Sequence, residues 1–282
     1  MRAIDIGLDA ARALGHPGPG RVLAAFPRAL YLSVPGGLVV LCSSQVPRGP
    51  LHLRMAALPA ARAGVEVLVT AGHLKVGDEV CPVPASVPVW SPRLPPASRL
   101  SHACRDARNW LPSTGPTLEL QSARDTELPD DVLTALRRGD LLSFAGLVGG
   151  RGAGLTPAGD DVLAGVLLVA SGLRGGSRVH ARTLRRCGLR APTNDIARAF
   201  LACAARGRCI EPAHALLDAL ADADRGATRS AISELRRFGS SSGEALAYGI
   251  RTALLELPTE APPGVATRLV SRPDQDQIEY SG

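Results

Sequence analysis

Aromatic residues and lysine are both scarce in this chain of 282 residues. Phe, Trp and Tyr make up only 3% of it, so Leu, Val and Ala must build most of the core. Of the 32 basic residues only Lys75 is a lysine, and the arginines are scattered along the chain. No basic run is interleaved with aromatic residues, as a stacking platform for nucleic acid requires. The net charge of +6 permits an anionic partner, but we predict that this partner is not nucleic acid.

Long apolar runs and paired cysteines are also missing. The longest apolar run, 162–170, contains Gly165 and is far too short to span a bilayer. The first residues show no hydrophobic signal core. The six cysteines include no Cys-x-x-Cys pair and match no zinc template. We therefore predict a reduced, cytoplasmic protein with no membrane partner.

The spacing of apolar residues divides the chain into two parts. Residues up to about 100 are typical of strands and turns, with a hairpin at 29–42, a strand at 65–70 and a further strand at 74–80 that has a turn at Gly77 and Asp78. Six prolines follow in 82–97 and disfavour a helix or a central strand. We predict an α+β fold, in which a β-rich N-terminal domain (1–97) packs on a larger helical domain (98–257). A disordered tail is predicted for 258–282.

Helical spacing dominates from Ser98 onward. Pro129, Asp130 and Asp131 suit the first turn of a helix, and Gly207 suits a helix end. The predicted helices are 98–111, 128–138, 161–173, 193–207, 212–221, 227–237 and 243–256.

A glycine-rich loop, residues 150–161, runs into one of these helices. Glycine backbones can adopt positive φ and approach a ligand closely. Thr156 suits the N-cap and Pro157 the first helical position, so free amides at this helix start can attract an anion. Arg151 is the best-placed cation for a carboxylate or phosphate. The alternative is a structural turn that binds nothing.

Two aspartates, Asp160 and Asp161, complicate anion binding at this loop. They stabilise the helix dipole by themselves but repel an anion bound at the same helix start. Either a divalent cation bridges the two carboxylates and the anion, or a carboxylate accepts a hydrogen bond from an amide or a cationic group of the ligand. No other cofactor is predicted.

A second loop, residues 239–244, repeats the arrangement of glycines and small polar residues before a helix. Its serines could contact a ligand, but a serine cap alone would also explain them. If both loops face one cleft, they can hold the two ends of one ligand. Thr193 and Asn194 could add polar groups, although Thr193 also suits an N-cap.

Three blocks of sequence together resemble the AllH-like family, formerly a domain of unknown function. The first is 152–165, with Thr-Pro-Ala-Gly-Asp-Asp at its centre. The second is 193–207 with 211–220, and the third is 239–243 with Gly249. The order and spacing of the blocks is more specific than any one loop.

The resemblance implies a subunit of oxamate carbamoyltransferase, which acts in allantoin and purine degradation together with other subunits. A carbamoyl group would pass between an oxamate-type acceptor and phosphate. Asp160, Asp161 and Thr156 are the catalytic residues that we predict. The predicted substrate-binding residues are Arg151, Gly152, Gly154, Leu155, Thr193, Asn194, Ser241, Ser242, Gly243 and Glu244.

The third block departs from the family pattern. Ser240 stands where a histidine is usual, and Ala245 where an aspartate is usual, with Glu244 beside it. The histidine would have been a candidate acid or base. A second hypothesis therefore stays open, that of a non-catalytic subunit that binds a small anion or acts as a scaffold.

Overall fold

A computed structural model describes residues 2–111, 128–173, 178–239 and 241–258. The side chains of 104–110 and 178–179 are not described. An N-terminal sheet precedes a set of helices, which confirms the predicted α+β class. The predicted tail, apart from Pro258, lies outside the described residues. The predicted division into domains stays a prediction.

All strands of the described residues belong to one sheet, in the order β8-β7-β6-β2-β3-β4-β5-β1-β9. Neighbouring strands are antiparallel except for the pairs β4–β5 and β1–β9. The strands are β1 (Ala3–Gly7), β2 (Gly18–Phe26), β3 (Ala29–Val34), β4 (Gly37–Ser43), β5 (His52–Met55), β6 (Glu66–Thr70), β7 (His73–Val76), β8 (Glu79–Pro82) and β9 (Val89–Trp90).

Strands β3 and β4 form the predicted hairpin, in register from Ala29 opposite Cys42 to Val34 opposite Gly37. The predicted turn at Gly77 and Asp78 is confirmed: it joins strands β7 and β8, and Gly77 has a φ of +55°. The expectation of strands and turns alone before residue 100 was wrong, because helix α1 (Leu8–Leu14) lies between β1 and β2. Its two turns are too short for a clear helical period.

The helical region confirms the predicted helices within a few residues at each end. It also contains two helices that the sequence did not predict, α4 and α6. The first is short and apolar, and the second is rich in arginine. The helices are α2 (Ala97–Trp110), α3 (Asp130–Arg137), α4 (Leu141–Val148), α5 (Ala158–Leu173), α6 (Arg178–Arg190), α7 (Asp195–Ala204), α8 (Glu211–Ala221), α9 (Arg225–Arg236) and α10 (Ser242–Glu256).

The two faces of β4 pack against different neighbours. Val39 and Leu41 join the apolar core of the sheet, which includes residues of α1. Leu38, Val40 and Cys42 join an apolar cluster with residues of α7. Alternate side chains of a strand point to opposite faces, so the second face of the sheet rests on the helices. None of the described helices is both long and apolar enough to cross a membrane.

Helices α5 and α10 cross with their backbones in close contact. A Cβ atom at Gly165 would lie 2.5 Å from the carbonyl oxygen of Leu246. A Cβ atom at Gly249 would lie 2.1 Å from the carbonyl oxygen of Val162. Only glycine fits at such a distance. This close crossing brings the start of α5 near the start of α10.

Candidate functional site

The first glycine loop has the backbone conformation that the sequence predicts. Gly150, Gly152 and Gly154 have φ values of +70°, +101° and +99°. A Cβ atom at Gly150 would lie 2.0 Å from the carbonyl oxygen of Pro192. A side chain at this position would therefore also collide with the backbone of Pro192. The loop therefore packs against the segment that precedes α7.

The backbone amides at the start of α5 are less available to bind a ligand than the sequence predicts. The amide of Gly159 donates to the carbonyl oxygen of Arg151 at 2.8 Å. The amide of Asp160 donates to the carbonyl oxygen of Pro157 at 2.9 Å. The Thr156 hydroxyl, the predicted N-cap, lies instead beside a hydroxyl of the second loop. Side chains contribute more to this site than helix-start amides do.

Asp160 is almost fully buried, with 2% of its surface exposed. Its Oδ1 accepts a hydrogen bond from the Gly150 amide at 2.9 Å, and its Oδ2 accepts one from the Thr193 hydroxyl. Burial raises the pKa of this carboxyl, although both hydrogen bonds and the charge of Arg198 lower it. Since both oxygens bind the protein itself, Asp160 holds the glycine loop against the α6–α7 connection. Its predicted catalytic role stays a prediction.

The N-cap predicted at Thr193 was wrong. Asn194 caps α7, since its Oδ1 accepts a hydrogen bond from the Ala197 amide at 2.9 Å. Its Nδ2 donates to the carbonyl oxygen of Leu155 at 3.0 Å. Thr193 and Asn194 thus both hold the first loop, one through Asp160 and the other through Leu155.

Asp161 has an oxygen that no described group satisfies. Its Oδ2 is buried and accepts no hydrogen bond within the described part of the chain. Burial raises the pKa of this carboxyl well above its usual range, and the negative charge of Asp160 raises it further. Hydrogen bonds of this carboxyl with the Ser242 and Thr156 side chains lower the pKa, but by less than burial raises it. A buried polar atom without a partner is unusual and indicates a place for a ligand or a water molecule.

The two loops face each other at this carboxyl. The hydroxyl oxygens of Thr156 and Ser242 lie 3.2 Å apart, and either can donate. Ser242 is the first residue of α10, and a Cβ atom at Gly243 would lie 1.6 Å from the carbonyl oxygen of Leu235. The absence of a side chain at Gly243 therefore allows this loop to pack closely against α9. The sequence left open whether the two loops lie together, and the contact between Thr156 and Ser242 shows that they do.

Other predicted residues lie further out. Arg151 and Gly154 are exposed, and the Arg151 side chain forms no ion pair with the residues described. Ser241 is exposed at the N-cap of α10, where its side chain makes no capping hydrogen bond. Glu244 is exposed and lies 3.6 Å from Arg236. Ser240 lies outside the described residues.

The sheet contributes residues that the sequence did not predict. Tyr31 of β3, Phe200 of α7 and Leu155 of the first loop share one apolar cluster. Burial raises the pKa of Tyr31, with contributions from Cys42 and from the charge of Asp161. The alternation of β3 could have placed Tyr31 opposite to Leu30 and Leu32, but nothing in the sequence connects it to the loops.

A metal ion has little support from the protein side chains. The described residues contain no group of three or more His, Cys, Asp or Glu side chains that could hold one. A cation that bridged Asp160 and Asp161 would also have to displace the hydrogen bonds that Asp160 accepts. The arrangement suits direct contact between a ligand and the hydroxyl and carboxyl groups.

Comparison with protein families supports the resemblance seen in the sequence. Residues 147–254 match the family model for oxamate carbamoyltransferase subunit AllH. The match runs from the last residues of α4 into α10 and includes both loops. No curated protein and no solved structure matches the chain.

Proposed function

We propose that this chain is a subunit of a carbamoyltransferase-type enzyme whose two glycine loops bind a small anion that carries an amide. Oxamate and carbamoyl phosphate have this chemistry. One observation carries the proposal: Thr156 and Ser242, from loops far apart in the sequence, meet at the carboxyl of Asp161, whose Oδ2 no described group satisfies. The family match covers the same residues.

The groups at this place suit both ends of such a ligand. Hydroxyls can donate hydrogen bonds to anionic oxygens and accept them from an amide, so Thr156 and Ser242 fit either end. Asp161 adds a carboxyl whose Oδ2 is buried, and a hydrogen bond to a buried atom is stronger than one in solvent. Catalysis would depend on positioning and electrostatics rather than on a covalent nucleophile.

The more exposed residues have supporting roles in this proposal. Arg151 and Gly154 would form the outer edge of the binding place, where the arginine can attract an anion from solvent. Asp160, Thr193 and Asn194 would keep the loop in its binding conformation. We propose no metal ion for binding, since Asp161 and the two hydroxyls can contact the ligand directly.

The family name describes a subunit, so we also propose that this chain acts with other subunits of the enzyme. The expected setting is cytoplasmic breakdown of purines and allantoin, where oxamate-type amides occur. A partner could also supply reacting groups that this chain does not hold.

A non-catalytic role is the second candidate, and residue 245 favours it. Ala245 is fully buried in the helical core, so the chain offers no carboxylate where the family pattern has an aspartate. The chain would then bind the anion and present it, or sense it, while a partner carries out the transfer.

Isothermal titration of the full chain with oxamate, and separately with carbamoyl phosphate, tests the proposal. Thr156→Val and Ser242→Ala should each weaken binding by about tenfold, the effect of losing one hydrogen bond to a charged group. Ser230→Ala, at an exposed serine of α9, is the matched control and should bind as the wild type does. If the wild type binds neither compound, or the loop variants bind normally, the proposal is wrong. Turnover by the complete complex with each variant then separates catalysis from binding alone.

A further inference from the structure

The proposed ligand is an anion, yet the group that faces it is an acid next to a second acid. Asp160 and Asp161 are adjacent, and the charge of Asp160 acts on Asp161. Two ionised carboxylates at a buried site would repel an oxamate or phosphate group strongly. The proposed function therefore requires an explanation of how Asp161 tolerates its ligand.

We infer that Asp161 binds in its neutral form and that its Oδ2 donates a hydrogen bond to an anionic oxygen of the ligand. This inference rests on the proposed function and specifies which end of the ligand Asp161 contacts. The carboxylate or phosphate end would lie at Asp161, between the hydroxyls of Thr156 and Ser242. The amide end would then point away from these three groups.

Among the described residues, no cation is paired with Asp161 to hold it ionised. No ion pair joins Asp161 to any described cation. On α5 its neighbour is Asp160, which already faces the charge of Arg198. On α10 it faces the neutral Ser242, while Glu244 lies beside Arg236.

The remaining groups near Asp161 are weak acids. Tyr31 of β3 and Cys209, which follows α7, both interact electrostatically with it. Burial raises the pKa of the Cys209 thiol to about 12, so this thiol stays neutral at ordinary pH. The pKa of Tyr31 is raised as well, so it also stays a neutral phenol.

The hydrogen-bond inventory leads to the same conclusion. An ionised Asp161 would leave a buried, charged oxygen without a partner within the described residues. A neutral carboxyl removes the buried charge, which is the larger part of that cost, and gains a donor for the ligand. The raised pKa of Asp161 agrees with this state. Thr156 and Ser242 share one hydrogen bond, so this pair keeps one free hydroxyl donor, and neutral Asp161 adds a second. Two donors at one place suit an anionic oxygen.

Titration with oxamate as the probe, over a range from about pH 5 to about pH 9, tests the inference. Oxamate stays an anion over this range. Wild-type affinity should fall as the pH rises through the pKa of Asp161, since the donor is lost. Asp161→Asn keeps an N–H donor and should bind within about threefold of the wild type at low pH, without the pH dependence. Asp161→Ala should bind about tenfold more weakly.

Two results would overturn the inference. One is an Asp161→Asn variant that loses as much affinity as Asp161→Ala, because the ionised carboxylate would then be the binding form. The other is a wild-type affinity that rises with pH. Ser230→Ala again serves as the matched control.

Infrared difference spectra of the full chain without ligand, wild type minus Asp161→Asn, keep this test separate from the proposed function. A protonated carboxyl band near neutral pH is expected. A carboxylate band in its place overturns the inference whatever the ligand. Normal oxamate binding by Thr156→Val and Ser242→Ala instead counts against the proposed function, and it leaves the infrared result unchanged.

Discussion

The hydroxyl oxygens of Thr156 and Ser242 lie 3.2 Å apart, although 86 positions separate them in the sequence. One precedes helix α5 and the other begins helix α10. Their contact depends on the close crossing of these two helices at Gly165 and Gly249. Packing far from the loops therefore decides whether the loops form one site.

Gly249→Ala should both destabilise the protein and weaken oxamate binding. Its new Cβ atom would lie 2.1 Å from the carbonyl oxygen of Val162, a backbone atom that cannot move aside alone. The helices must separate, at an expected loss of about 1–3 kcal/mol in the free energy of unfolding. Urea unfolding followed by circular dichroism measures the loss, and titration with oxamate measures the effect at the loops.

Gly146→Ala is the matched control, because a Cβ atom at this helical glycine meets no atom within 4 Å. Alanine has the higher helix propensity, so this variant should gain about 0.5–1 kcal/mol in unfolding free energy. Equal effects of the two substitutions would mean that the α5–α10 crossing does not need glycine.

Asp160→Ala should lower the unfolding free energy by about 1–3 kcal/mol, because the Gly150 amide and the Thr193 hydroxyl lose their acceptor. Asp160→Asn should lose less, since its oxygen can still accept from Gly150 while the Thr193 hydroxyl rotates to accept from the new N–H group. Asp78→Ala, at an exposed turn, should stay within about 0.5 kcal/mol of the wild type. If Asp160→Ala unfolds like the control, Asp160 does not hold the loop.

Asp161→Asn should be more stable than the wild type at neutral pH. The pKa of Asp161 is raised in the folded protein above its ordinary 3.8, so the folded state binds the proton more tightly than the unfolded state. Its contribution to stability is therefore lost as the pH rises from the unfolded to the folded pKa. Asparagine lacks this dependence.

The difference in unfolding free energy between Asp161→Asn and the wild type should accordingly grow with pH and then become constant. Urea unfolding at several pH values measures this difference. A variant that becomes relatively less stable as the pH rises would show that the carboxylate is stabilised in the folded protein.

Asp9→Ala should be strongly destabilising, because it separates helix α1 from the segment after α7. The Asp9 carboxylate accepts from the Arg208 guanidinium at 2.6 Å and 2.7 Å, and from Arg206 at 3.2 Å. Removing one partner of such a buried ion pair typically costs about 3–5 kcal/mol, since the other charge stays buried. Glu211→Gln, at the half-exposed ion pair with Arg48, is the control and should cost about 1 kcal/mol or less.

This ion cluster also has a pH dependence of opposite sign to that of Asp161. Burial by itself raises the pKa of Asp9, but the hydrogen bond and the charges of Arg208 and Arg206 outweigh it, and the pKa is lowered. The stabilisation is present above the unfolded pKa and is lost as the pH falls through the folded pKa. Acid unfolding that is the same in Asp9→Ala and the wild type would contradict this assignment.

The sequence by itself determined the features that depend on neighbouring residues. Glycine alone allows positive φ easily, so the conformation of the first loop could be predicted from Gly150, Gly152 and Gly154. The hairpin at 29–42 followed from its central Pro-Gly-Gly turn, and helical spacing predicted α5 and α10. The family resemblance likewise came from the order of blocks along the chain, and residues 147–254 match the family model.

Only the tertiary structure decided which polar groups are already satisfied. Asp160 and Asp161 are neighbours with the same local sequence signals, yet Asp160 is bound on both oxygens and Asp161 has one that no described group satisfies. Thr193 suited a helix cap but binds Asp160, and Tyr31 belongs to the site only because the sheet packs on α7. Each of these contacts joins residues far apart in the chain, and no local propensity encodes them. Their physical origin is the close approach of α5 to α10 and of the sheet to the helices.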